Sequence, residues 1–401
     1  MKHIQGKYAN AIIYTDLVEQ EALDQVKAMC DDSLAAGQRI RIMPDVHSGA
    51  GCTIGTTMTV GDRLMPSLVG VDIGCGMLTV GVGRQPMPLD KLDEVIYRSI
   101  PSGQNVRQSP HAYLAEIDLS ELRCSERVNR GRAALSLGTL GGGNHFIEAD
   151  VDEEGNQYLV IHSGSRHLGH QVATYYMKAG YEQMELEGVK QWRDVVAELK
   201  AQGRFREIEA QKETFVLEKN RLDIPLDKAY VSGPLFKDYI HDMSIVQHFA
   251  QLNRRAMMDT ILEELNLTET ERFETVHNYI DMESMILRKG AVSAKLGERL
   301  LIPINMRDGS LICTGKGNPE WNSSAPHGAG RLMSRSKAKG TIQLADFQDA
   351  MAGIYTTSVC DATLDEAPMV YKPMESILSN ITPTVIVNSI IRPIYNFKAK
   401  S

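Results

Sequence analysis

Val69-Gly-Val-Asp-Ile-Gly-Cys-Gly-Met77 is the stretch around which this chain reads most clearly. Asp72 and Cys75 stand three residues apart, wrapped by Gly70, Gly74 and Gly76. Glycines crowd a short span where the backbone turns tightly and a Cβ would obstruct its approach. A carboxylate and a thiolate on one turn can both bind a divalent transition metal, the thiolate being the softer ligand. The bland reading is that Cys75 is a small buried residue in a turn, because free cysteine is often inert core. Residues 68–71 and 77–82, on either side, read as buried strands.

The 401 residues are 43% hydrophobic and 23% charged, the balance of an ordinary globular protein able to bury a large core. No run reaches the roughly 18 apolar residues that a membrane span needs, and MKHIQGKYAN lacks the apolar heart of a secretory signal. Cysteines 30, 52, 75, 124, 313 and 360 form no CxxC pair, which favours free thiols in a reducing cytoplasm over a disulfide scaffold. A net charge of −8 excludes a polycation, so any contact with nucleic acid has to be local. Local basic clusters exist at Arg331, Arg335, Lys337 and Lys339 and at Arg288, Lys289 and Lys295; each can equally be a solvated face.

Residues 17–36 carry the apolar spacing of an amphipathic helix. A short strand from residue 40, broken by Pro44, leads to a loop holding Asp45 and His47. These two either support a metal ligand from behind or, for the aspartate, cap a turn. The Gly-rich loop 137–143 delivers Asn144 and His145 into a short strand with Glu148 three residues on, where strand geometry would send His145 and Glu148 to opposite faces. Another apolar strand, 158–161, ends at His162, and Arg166 just beyond it can grip a phosphate with two N–H groups. Residues 171–220 read as a highly charged surface helical hairpin, and 238–265 as a longer amphipathic helix whose His241 and His248 are packed or surface groups. A short strand presents His277, and Pro303 opens a polar loop. His327 is expected just before a basic helix, where the helix dipole favours an anion. With no repeat or low-complexity linker, the expectation is one α+β domain over 1–401, with mixed sheets surrounded by helices.

Taken in order, MPDVHSGAG (43–51), VGVDIGCGM (69–77), LGTLGGGNHFIE (137–148), HSGSR (162–166), LNRRAMM (252–258), HN (277–278), RKGAVSA (288–294), HGAGRLMSR (327–335) and YK (371–372) closely resemble the motifs of the RtcB-type RNA ligases, across essentially the whole chain. The resemblance implies an enzyme that uses GTP and Mn²⁺ to join RNA ending in a 3′-phosphate or 2′,3′-cyclic phosphate to RNA with a 5′-hydroxyl. Carried over by motif, Asp72, Cys75, His145, His162 and His277 would bind two Mn²⁺ ions, with Cys75 bridging. His327 would be the nucleophile that becomes guanylylated. The guanosine site would draw on Asn144, His145, Phe146, Ile147, Glu148, His277 and Asn278, on Pro303, Ile304, Asn305, Met306 and Ser310, and on Gly328, Ala329, Gly330, Tyr371 and Lys398. In that set Glu148 and Lys398 would read the guanine edges, while Arg166, Arg331 and Arg335 would hold RNA phosphates. Asn253 and Arg254 become site-lining candidates by the same analogy, and an activating protein of the archease kind is compatible with it.

Two departures stand out. Where the family usually has PGSMG this chain has Pro303-Ile-Asn-Met-Arg307, and His167 replaces a glycine after HSGSR. They suggest a divergent branch serving RNA repair more than housekeeping tRNA splicing. Two other readings share the motifs: an RNA-binding relative without turnover, and a metal-dependent hydrolase of 2′,3′-cyclic phosphates. Affinity order alone would favour Zn²⁺ over Mn²⁺ at such ligands.

Overall fold

The computed structural model describes residues 1–212 and 224–399, with backbone only for 187–191. Two sheets carry the architecture, confirming the α+β expectation. The larger orders its strands Glu271–Val276, Gly76–Gly83, Gln157–Ser163, Phe146–Val151, Val385–Lys398, Gly309–Gly315 and Arg299–Asn305, with Tyr355–Thr356 added alongside Val385–Lys398. Its two ends curl toward each other: Leu301 N donates to Thr275 Oγ1 at 3.0 Å, and Arg299 pairs with Glu271 at 2.8 Å. Strand alternation then sorts the side chains. Met77, Phe146, Val160, Leu301 and Ile312 cluster on the inner face. Leu78, Val80, Ile147 and Ile161 face outward, against Ile261 of the long helix Gly233–Leu265 and Ile96 of the helix Leu89–Ser99.

The second sheet runs Lys2–Gln5, Asn10–Ile13, Ile40–His47, Ile54–Thr59, Ile286–Lys289 and Asn278–Asp281. His277 lies between the edge strand of the first sheet and the edge strand of the second, and so joins them. Its N–H donates to Cys75 O at 3.0 Å and its carbonyl accepts from Gly290 N at 2.7 Å.

Several sequence expectations change. Residues 66–68 form a 3₁₀ turn begun by Pro66, so the strand expected at 68–71 does not form. Strand Ile40–His47 continues through Pro44, its ladder shifting register between Ile42 and His47 to tolerate the missing N–H. Strand Arg299–Asn305 likewise passes through Pro303, and the polar turn starts only at residue 306. The charged region begins as one helix, Arg166–Ala201, followed by a turn and a helical start at 207–212. The rest of the expected second arm, 213–220, lies outside the described residues. Among the described residues no helix is long and apolar enough to cross a membrane.

Gly74 is required by its surroundings. Its φ is +72°, and a Cβ there would sit 2.9 Å from Gln247 Cα on the long helix. Gly74→Ala therefore both strains the turn and pushes it off that helix. The expected cost is about 1–3 kcal/mol, read as a lower urea midpoint with the dependence on urea unchanged.

Candidate active site

The strand register builds the centre. Met77 pairs with His162, Gly76 with Val276, and Phe146 with His162, so the residues flanking those positions gather at one end of the larger sheet. Asp72, Cys75 and His145 form one triad and Cys75, His162 and His277 a second; within each, the potential ligand atoms lie within 4.8 Å of one another. Cys75 Sγ is 3.3 Å from His162 Nε2 and 3.5 Å from His145 Nε2, while His162 Nε2 is 3.4 Å from His277 Nε2. The far nitrogens of two rings are tied back: His145 Nδ1 to Leu140 O at 2.9 Å and His162 Nδ1 to Asn144 O at 3.1 Å. Those carbonyls can only accept, so they fix Nδ1–H and turn a bare Nε2 to the centre.

Bare imidazole nitrogens facing each other and a thiol are costly unless something positive lies between them. Burial pushes the Cys75 thiol well up, and Asp72's charge pushes it further. Burial also drives His162 and His277 well below the ordinary histidine range. Asp72 goes the other way: burial alone would raise its carboxyl, but its neighbours His145, Cys75 and Arg166 together outweigh that. Imidazoles with a carboxylate and a thiol that can lose its proton to a cation suit the binding of a divalent transition metal, and Cys75 belongs to both triads.

His145 precedes its strand, so its direction is set by the loop and the expected opposition to Glu148 does not arise. Asn253 and Arg254 do not line the site. Asn253 holds Gly138, Thr139 and Gly164 by their backbones, and the buried Arg254 donates to Gly74 O and Ser163 O at 2.7 Å each.

Beside the two triads opens a cavity of about 320 Å³. Its wall includes Asp72, Cys75, Asn144, Phe146, Glu148, His162, His277, Asn278, Pro303, Ile304, Asn305, Met306, His327, Gly328, Ala329, Gly330, Tyr371 and Lys398, with Arg331 and Arg335 at one side. Ile147 and Ser310 are not part of that wall. Ile147 sits on the outer face of the sheet against the helices, as alternation with Phe146 and Glu148 demands, and Ser310 is fully buried beneath it. Arg166 also stands outside the cavity, its guanidinium 3.4 Å from His145 Nδ1. Arg307 turns away to pair with Asp308 at 2.8 Å.

His327 is not at a helix start: the basic helix begins only at Arg335. Its ring is oriented instead by Asp45. Asp45 Oδ2 lies 2.6 Å from His327 Nδ1 and accepts from the backbone N–H of His327 and Gly328 at 3.1 and 3.2 Å. The carboxylate is fully buried. Among the described residues His327 Nε2 makes no hydrogen bond, and the ring stands 4.9 Å from that of His277, centroid to centroid. Gly330 permits this fit: its φ is +76°, and a Cβ there would collide with Asp45 O. Lys372 secures the aspartate from behind, donating to Pro44 O at 3.1 Å and Val46 O at 2.8 Å.

Glu366 and Asn396 join the wall without having been picked from the sequence, and His47 joins it from the end of the strand that holds Asp45. Glu366 accepts from Lys398 Nζ at 2.5 Å, Arg335 at 2.7 Å and the Tyr371 hydroxyl at 2.8 Å. Nothing in the local pattern around residue 366 marks it; only its partners do. Asn396, on the strand beside Glu148, donates to it at 2.5 Å.

A sequence model of the family described as tRNA-splicing ligase RtcB matches residues 32–123 and 112–399. RNA-splicing ligase RtcB of Escherichia coli (strain K12) is 31% identical over 381 residues, covering 85% of each chain. The tRNA-splicing ligase RtcB of Aeropyrum pernix is 26% identical over 92% of this chain and 90% of its own, and RNA-splicing ligase RtcB2 of a second E. coli strain is 24% identical over 95% and 93%. This protein belongs to the RtcB family.

Two predictions come from this geometry. Metal content by mass spectrometry is expected to fall by one ion per chain in His145→Ala or His277→Ala, and by both in Cys75→Ala. The second concerns Glu366. Burial pushes its carboxyl up, but Lys398 and Arg335 prevail and hold it at about 2 against an ordinary 4.5. A depressed carboxyl adds stability that is full above the unfolded value and is lost as pH falls through the folded one. The stability gap between wild type and Lys398→Met should therefore be complete above about pH 4.5 and close toward pH 2, measured by urea unfolding.

Proposed function

We propose that this protein is an RNA ligase that joins a 3′-phosphate or 2′,3′-cyclic phosphate end to a 5′-hydroxyl end, at the expense of GTP, through guanylylated His327. The observation that carries this is the buried Asp45 carboxylate 2.6 Å from His327 Nδ1, which leaves Nε2 as the nucleophile at a cavity wall shared with Cys75 and His277. The names of the relatives support the same class of reaction.

Asp45 keeps the proton on Nδ1, so the Nε2 lone pair attacks the α-phosphorus of GTP. The bond from that phosphorus to the bridging oxygen breaks and pyrophosphate leaves. Positive charge grows on the imidazole as the N–P bond forms, and the Asp45 carboxylate stabilises it. An oxygen of the RNA 3′-phosphate then displaces the histidine from the guanylate. Finally the 5′-hydroxyl attacks the RNA phosphorus, GMP leaves, and the phosphodiester closes; a cyclic end is first opened by water to the 3′-phosphate. Asp72, Cys75, His145, His162 and His277 would hold a pair of Mn²⁺ ions. When bound, the ions supply Lewis acidity that draws charge from the phosphates at both displacements.

Glu148 and Lys398 would contact the guanine edges. Burial raises the Glu148 carboxyl above the ordinary carboxylate range, against its hydrogen bonds with Asp150 and Asn396 and the charge of Lys398. Tyr371, Asn305 and the 327–330 turn complete the nucleotide wall.

Incubation with α-labelled GTP and Mn²⁺ should leave acid-labile label on the protein. Asp45→Asn should reduce its formation by at least about tenfold, the scale of a lost orienting base partner; His327→Ala should abolish it. Opening of cyclic phosphate with no label would indicate a hydrolase, and RNA binding with neither activity a non-catalytic relative.

A further inference from the structure

Arg331 and Arg335, two of the three cations expected to hold RNA, have their charge already matched. Arg335 meets Asp365 at 2.6 Å and Glu366 at 2.7 Å, and Arg331 meets Glu366 at 3.5 Å and Asp365 O at 2.6 Å. Basic groups without such partners lie on another face of the centre. A cavity of about 590 Å³ runs along the first turns of the helix Arg166–Ala201. Arg127, His167, His170 and Lys178 stand on its wall, and Arg132 is near enough for its charge to act on both His167 and Arg166. Arg127, Arg132 and Lys178 are exposed, and none makes an ion pair with a carboxylate among the described residues, whereas neighbouring Arg130 is drawn to Glu126 at 3.5 Å. One carboxylate, Glu182, closes the far end.

The imidazoles of His167 and His170 are exposed and stacked, 5.7 Å apart and 11° from parallel. A flat ring pair among unpaired cations is the composition of a surface that binds single-stranded nucleic acid by stacking and phosphate contact. The groove also adjoins the centre along the chain. Arg166, next to His167, is held in a left-handed conformation, φ 57°, with its guanidinium against His145. Ser165, one residue earlier, donates its backbone N–H to Asp72 at 3.1 Å.

We propose that a single-stranded segment of the RNA substrate lies in this groove, with phosphates on Arg127, Arg132 and Lys178 and a base against the His167–His170 pair, so that its end passes Arg166 into the metal centre. This rests on the ligase reading for the identity of the strand. It also gives His167, the residue that departs from the family pattern, a role in substrate grip.

The test is fluorescence anisotropy of a labelled 12-nucleotide single-stranded RNA with a 3′-phosphate, across a salt series. Arg127→Gln/Lys178→Gln is expected to lower the log–log salt slope by about 1.4, two phosphate contacts at roughly 0.7 each. His167→Ala/His170→Ala should weaken binding about tenfold with the slope unchanged, and His167→Phe/His170→Phe should restore it, because stacking needs only a π face. Urea midpoints equal to that of the wild type establish that the variants fold. RNA affinity and slope that match the wild type in both double variants overturn the proposal, as does a wild type that binds no single-stranded RNA. Label from GTP is read on the same wild-type preparation: its absence alongside intact, groove-dependent binding sinks the ligase reading and leaves the groove standing.

Discussion

Everything at the centre hangs on one sulfur. Cys75 Sγ is the atom on which both triads close, and it gets there because strand Gly76–Gly83 is held between Gln157–Ser163 on one side and Glu271–Val276 on the other. A slip of one residue in either ladder would send its side chains to the opposite face. His162 would then lie among the helices, and the second triad would not exist. The register is in turn enforced by burial: Met77 inside and Leu78 outside are both sealed from water, so neither can trade places.

The loops that feed this centre are irregular, and buried polar side chains hold them. Arg254 bonds the carbonyls of Gly74 and Ser163 and pairs with Glu274 at 2.7 Å; Asn253 binds the Gly138–Thr139 backbone; Lys372 clamps the chain on both sides of Asp45. Burying a cation is unfavourable unless its donors find acceptors, and here the acceptors are backbone carbonyls of the loops and the Glu274 carboxylate. Each group settles the other, and the turn geometry is the product. Breaking such a buried arrangement from one side typically costs about 3–5 kcal/mol, so these residues act on the chemistry through position alone.

Sequence was most informative where chemistry and backbone demand coincide. The glycines around Asp72 and Cys75 mark a turn that only glycine accommodates, and ordered motifs point to His145, His162, His277 and His327, which the fold does gather. It was least informative where a role depends on a partner far along the chain. Asp45 reads as a turn cap or as support for a metal ligand until His327, 282 positions on, is seen bonded to it. Glu366 has no local signature at all and matters because Lys398, Arg335 and Tyr371 converge on it. Prolines misled twice, since Pro44 and Pro303 sit where the ladder tolerates a missing donor. Ile147 was drawn into the pocket by adjacency, although strand alternation sends it the other way.

The position of His277 has a mechanical meaning. Asp45 is a residue of the six-stranded sheet and carries His327 with it, while Cys75 and His162 belong with the larger, curled sheet. At His277 the backbone steps from one directly to the other, with a single residue between the two strands. The cavity between His327 and the Cys75 centre thus lies where the two sheets meet. A small shear between the sheets there would change the distance from His327 to the Cys75 centre while each sheet kept its own ladder.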